Sequence, residues 1–223
     1  MTGTEADECI AIVERLGPVI LSTVPSKKGM SASALRHSVG YMMACAGDLL
    51  ASHDFAEQMR SCLDQARMTG AGLVAMGQVR LAALAEAPIS LPATLTVLCT
   101  VRLCLAQEAR IVSEMVFRSR DDAANTAAEM TAAFSAAAEV ASDDLDAGSY
   151  MAIINLQATV VKHLADLGRV LPRVVNYRFA RVMPALTMAQ RAYADGDRAQ
   201  GLIDENKVVH PAFMPMTGRM LAV

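Results

Sequence analysis

The sequence contains no tryptophan and few rings of any kind: aromatic residues make up 4 % of its 223 positions. Strands draw on aromatic and β-branched side chains, so this scarcity argues against a large sheet. Charge is sparse as well, at 19 % Asp, Glu, Lys and Arg against 53 % hydrophobic residues. That balance excludes an intrinsically disordered chain, which needs low hydrophobicity and high charge. The five cysteines, Cys9, Cys45, Cys62, Cys99 and Cys104, form no CxxC pair and are odd in number. Neither a disulfide framework nor a zinc site is indicated, and the thiols read as small buried hydrophobes in a reducing compartment. The longest apolar run, LPATLTVLCTV, stops at Arg102 and is too short to span a bilayer. The opening MTGTEADECIAIVERLG is acidic and amphipathic, unlike a signal peptide. A net charge of −3 gives no whole-chain attraction for nucleic acid.

Signatures of catalysis are missing too. There is no GxSxG elbow, no phosphate-binding loop ending in Gly-Lys-Ser/Thr, and no dinucleotide fingerprint. His37, His53, His163 and His210 are scattered, and none has a partner at a metal-ligand spacing. TGAGLVAMG is glycine-rich but lacks the lysine and a preceding strand, so it reads as a turn before a close-packed helix. His163 and Asp166 sit one turn apart on a polar helix face, the pattern of a solvated surface. Asp121 and Asp122 open a helix, where carboxylates interact favourably with the dipole. The expectation is a protein that is not an enzyme, with no cofactor and no metal.

What is present is alanine, leucine, valine and 15 methionines, the material of helix-on-helix packing. The segments read as an all-α helical bundle of about eight helices with an extended C-terminal arm. A first helix covers residues 5–16, with Thr4 and Asp7 at capping-box spacing and Gly17-Pro18 as its stop. Others are expected from Met30 to Ser52, from Asp54 to Met68 with Gly70 beyond it, and from Leu73 to Ala87. The longest, Leu91 to Phe117, accepts Pro92 in its first turn and reads as the central helix. Ser119 and Asp122 form a second capping box before an alanine-dominated helix. In the helix Tyr150–Leu167, one stripe carries Tyr150, Ile153, Ile154, Val160, Val161, Leu164 and Leu167; Lys162, His163 and Asp166 lie on the opposite face. RVVNYRFARVMP alternates and reads as a short strand or a buried connection. Two short helices follow, Ala185–Ala194 and Asp197–Asn206. The acidic turn SDDLDAGS is the best boundary, giving an N-terminal bundle 1–145, a C-terminal helical subdomain 146–207 packed on it, and the arm 208–223.

Two surfaces stand out. Lys162, Arg169, Arg173, Arg178 and Arg181 are opposed in sequence only by Asp166. Such a run suits phosphate contacts, a protein–protein rim or a solvated face. The second surface is the closing stretch ENKVVHPAFMPMTGRMLAV, in which Pro211 and Pro215 forbid regular helix. Sixteen extended residues reach roughly 50 Å, and Val208, Val209, Phe213, Met214, Met216, Met220 and Leu221 have to be covered. The arm either folds back along its own bundle or docks on a neighbouring subunit. The second is the expectation, with His210 as a hydrogen-bonding anchor before Pro211.

FRSRDDAANTAAEMTAAFSAA, the LPR at Leu171–Arg173, the QRAYAD at Gln190–Asp195 and NKVVHPAFMP at Asn206–Pro215 resemble the C-terminal region of the Mu-like phage DNA circularisation (DNA circulation) proteins. The likeness runs from about Met115 to the end. Members of that family also carry an N-terminal domain of β character, so the resemblance implies a short version, a split gene product or a separate fragment. It implies a structural and assembly component of a contractile phage tail, near the baseplate or hub. The chain is then located in the virion and assembled in the bacterial host cytoplasm. Its partners would be other tail and baseplate proteins and copies of itself in a symmetric assembly. The partner-binding residues would be Val208, Val209, His210, Phe213, Met214, Arg173, Arg178 and Arg181. The alternative is a DNA-end-binding protein that enters the host with the genome and promotes noncovalent circularisation, through Lys162, Arg169, Arg173, Arg178 and Arg181.

Overall fold

A computed structural model describes residues 2–25 and 28–222. The chain is all-α in character, with ten α-helices and one two-stranded sheet among the described residues. It divides into two compact units. The first comprises Met1–Met115 with Thr131–Val160, and the second Val116–Met130 with Val161–Val223.

In the first unit, α1 (Gly3–Ser22) opens on a capping box at Thr2 and Glu5, ahead of the Thr4 and Asp7 that the sequence suggests. The Thr2 hydroxyl accepts from the Glu5 N–H, and the Glu5 carboxylate accepts from the Thr2 N–H. Gly17-Pro18 does not stop it. Glu14 and Pro18 are both exposed, so the carbonyl that Pro18 leaves without a partner faces water and the helix continues. Gly17 instead makes room for a neighbour, since a Cβ there would lie 2.4 Å from the Met43 sulfur. The expected helix 30–52 is two, α2 (Met30–Ala44) and α3 (Ala46–Ala51), interrupted where Cys45 leaves helical geometry at φ −109°. α4 (Phe55–Met68) ends before Gly70, whose φ of +100° is the left-handed geometry glycine tolerates. α5 (Leu73–Leu84) and α6 (Leu91–Glu114) follow.

Ser90 caps α6 by accepting from the Ala93 N–H, and Pro92 falls in its first turn, where its missing N–H costs nothing. The helix is about 36 Å long and packs against α1, α4 and α5. The core around it is built from Leu, Met, Val, Ala and Cys, including Leu35, Met42, Met59, Cys62, Leu63, Met76 and Cys104.

α7 (Arg120–Asp143) and α8 (Ala147–Val170) each contribute one stretch to each unit. SDDLDAGS, expected as the boundary, is the turn between them and lies inside the first unit. A short turn sends the chain back along the helix it has left. Gln157 Nε2 then donates to Ser135 Oγ at 3.2 Å, across the helix pair.

In the second unit the alternating segment is a strand, β1 (Val174–Arg178), followed by α9 (Ala185–Tyr193), a 3-10 turn at Gly196–Arg198, α10 (Ala199–Asn206) and β2 (Thr217–Leu221). β1 and β2 are antiparallel, with Val174 opposite Leu221 and Arg178 opposite Thr217. Tyr177, Met183, Met188, Ala189, Leu202 and Met214 form a separate core. This corrects the expectation of a free arm: its second half is a strand of the chain's own sheet. The alternation in β1 leaves one strand with unpaired backbone groups, and pairing them is worth more than leaving the terminus extended in water.

Candidate partner-binding surface

The segment after α10 leaves that helix through Lys207, which adopts left-handed geometry at φ 50°. Side chains then alternate in fate. Val208 packs on the core of the second unit and Met214 is wholly buried in it, whereas Val209 is 99 % and Phe213 68 % exposed. Val208 and Met214 are therefore occupied within the chain, and Val209, His210 and Phe213 remain at the surface. The loop between them is tied down. The Ala185 N–H donates to the Pro211 carbonyl at 2.7 Å and the Met214 N–H to the Met183 carbonyl at 3.2 Å. His210 organises its tip: Nδ1 accepts from the Ala212 N–H, the carbonyl accepts from the Phe213 N–H, and the His210 and Phe213 rings lie 5.2 Å apart. Two large apolar side chains are thus held outward on a loop braced from beneath.

β2 is clipped along its outer edge. Asn206 donates through Nδ2 to the Arg219 carbonyl and accepts through Oδ1 from the Arg219 N–H, at 2.7 and 2.8 Å, as a neighbouring strand would. Arg219 also pairs with Glu205. Gly218 is required here, because a Cβ would lie 2.2 Å from Asn206 Oδ1 and 2.6 Å from the Tyr177 hydroxyl. That hydroxyl is buried without a hydrogen-bond partner, and burial raises its pKa.

All five cations singled out from the sequence are exposed. Arg169 pairs with Asp166 at 3.2 Å, while Lys162, Arg173, Arg178 and Arg181 make no ion pair among the described residues. The basic run is not one face. By strand alternation Arg173 shares the side of Tyr177, and Arg178 points to the opposite side. Arg198 instead stacks over the Tyr193 ring at 5.0 Å. His163 and Asp166 share no hydrogen bond, and His163 Nε2 is buried without a partner.

The charged groups of the first unit join helices. Arg15 pairs with Glu86, Arg67 with Glu114, Arg110 with Asp64 and Arg102 with Asp146. Glu8 accepts from the Ile89 and Ser90 N–H groups, which hold its carboxyl below the usual range. Glu108 is 2 % exposed and receives Arg80 Nε at 2.8 Å. Burial outweighs that pairing and raises the Glu108 pKa. Burial also raises Cys9, Cys62, Cys99 and Cys104, which keeps these thiols protonated and unreactive. Among the described residues no three His, Cys, Asp or Glu side chains cluster as a metal site, and no helix is long and apolar enough to cross a membrane.

No family model matches the chain, and no curated protein does. Sequence reasoning singled out the non-helical closing stretch and the cations through proline content and charge, and read the stretch as an extended arm. It missed Asn206, Gly218, Tyr177 and Asp121, whose roles depend on a strand pairing that leaves no local signal.

Proposed function

We propose that the chain is a structural and assembly component of a contractile phage tail, in its baseplate or hub region. It would act by docking on neighbouring tail proteins and on copies of itself. The reading is supported by the resemblance of the C-terminal residues to the Mu-like DNA circularisation proteins. The observation that carries a docking role is the outward presentation of Val209 and Phe213 on a braced loop. An anchor held in its bound geometry loses little entropy on association, and large exposed apolar groups are common interface anchors.

Deleting residues 208–223 is a poor test, because it removes β2 and the core residue Met214. The double variant Val209→Ser/Phe213→Ser alters only exposed side chains. It is expected to fold with unchanged stability and to enter particles at least tenfold less well than the parent. Incorporation at the parental level would refute docking through this loop.

The second reading, a DNA-end-binding protein, is favoured by one observation. The second unit holds 11 Lys and Arg against 8 Asp and Glu, a net +3, while the first holds 9 against 15, a net −6. Gel shifts over a salt series decide it. Phosphate contacts through Lys162, Arg169, Arg173, Arg178 and Arg181 require binding that falls steeply with salt. No shift at low salt removes the DNA reading.

A further inference from the structure

The sheet has two edges, and one of them is clipped at its centre by a side-chain amide. In an antiparallel pair, residues alternate between directing both backbone polar groups at the partner strand and directing both away. The Ala222 N–H donates to the Arg173 carbonyl and the Phe179 N–H to the Met216 carbonyl, both at 2.7 Å. These bonds frame the ladder, so Val175 and Tyr177 face β2 and Val174, Asn176 and Arg178 face outward. On β2, Asn206 covers the outward groups of Arg219. On β1, only the Val174 N–H is covered, by the Asp121 carboxylate at 2.7 Å. The N–H and C=O of Asn176 and of Arg178 have no partner among the described residues, and both side chains are exposed. Arg178 lies within this open stretch and Arg181 and Arg173 flank it, none of them in an ion pair with a described residue.

We propose that the open edge of β1 receives an extended acidic segment of a partner protein as a third antiparallel strand. Main-chain hydrogen bonds to Asn176 and Arg178 would hold it, and a carboxylate on the same face of the added strand would meet Arg178. A second copy of the chain fits less well. With Val174 held by Asp121, two β1 strands can pair about Tyr177 or about Arg178. The first register sets the two Arg178 side chains diagonally on one face, about 7–8 Å apart, and the second sets them directly opposite; like charges repel in both. The proposal does not depend on the phage-tail reading.

The probe is a capped heptapeptide alternating Thr and Glu, titrated into the full chain labelled with ¹⁵N. Saturation is expected to slow amide exchange of Asn176 and Arg178 at least tenfold while leaving Val175 unchanged. Arg178→Glu, an exposed substitution that leaves the fold intact, should weaken binding at least tenfold. A Thr–Lys peptide, and a Thr–Glu peptide N-methylated on alternate residues, should not bind. The proposal is overturned if the Thr–Glu peptide leaves the two amides unprotected, if the N-methylated peptide binds equally, or if Arg178→Glu binds as well as the parent. It is also overturned if the free protein already protects these amides as a dimer, which would make a second copy the occupant.

Discussion

The two units solve the same problem with different means. The first buries long apolar helix faces around α6 and places its charges as pairs between helices, such as Arg80–Glu108 and Arg110–Asp64. The second is smaller, yet it holds five of the nine Phe and Tyr residues, Phe117, Tyr177, Phe179, Tyr193 and Phe213. It closes its core with a two-stranded sheet, with side-chain amide clips, and with chain that returns from its far end. Regular helix satisfies its own backbone, so a helical unit can devote its side chains to packing. A two-stranded sheet leaves its edges unsatisfied and is marginal alone, so side chains must be spent on backbone groups. The first unit should therefore fail through its buried charge, and the second through the fit around its sheet.

The largest effect is expected at the buried pair. Arg80→Met leaves Glu108 in apolar surroundings without a countercharge and should cost about 3–5 kcal/mol at neutral pH. The Glu108 pKa is already raised in the fold. The folded state thus holds its proton more readily than the unfolded chain. The associated stability is present below the ordinary carboxylate range and is lost as pH rises through the raised value. Removing Arg80 raises that value further, so urea melts should show a small loss at acid pH and a large one at neutral pH. A loss independent of pH would assign the effect to packing.

Next comes Gly218→Ala, which pushes a methyl against Asn206 and Tyr177. It should cost about 1–3 kcal/mol and accelerate amide exchange in β1 and β2 without touching α1 or α6. Equal loosening of both units would erase the distinction between them. Asn206→Ala should cost about 1 kcal/mol, read as faster exchange at the Arg219 amide. The smallest effect is at Tyr177→Phe. Its hydroxyl is buried without a partner, so removal should leave stability unchanged or raise it by up to about 1 kcal/mol. A clear loss would mean that the hydroxyl has a bonding role.

Much of the helical layout was legible because its signals are local. Ser90 with Pro92 marks the start of α6, Gly70 the stop after α4, and Ser119 the start of α7, where its hydroxyl accepts from the Asp122 N–H. One local signal misled, and one break had no signal. Gly17-Pro18 is read as a stop, but its exposed side lets the helix continue and its glycine admits Met43. Nothing in the apolar run around Cys45 announces the break there. That the stretch carrying Val209 and Phe213 is not helix was visible through its prolines, though it was read as an extended arm. Which of its side chains turn inward was not, because that depends on a core assembled from residues far away in sequence.

Composition and periodicity by themselves determined that this chain is helical, where most of its helices begin, and that it ends on apolar residues no helix can absorb. Those outcomes follow from interactions spanning a turn or two. Only the tertiary structure decided that Thr217–Leu221 pairs with Val174–Arg178, that Met214 is buried while Phe213 is not, and that one edge of the sheet is clipped while the other stays open. Such pairings join segments some forty residues apart, and the free energy that selects them comes from burying Tyr177 and Met214 together, which neither segment encodes alone.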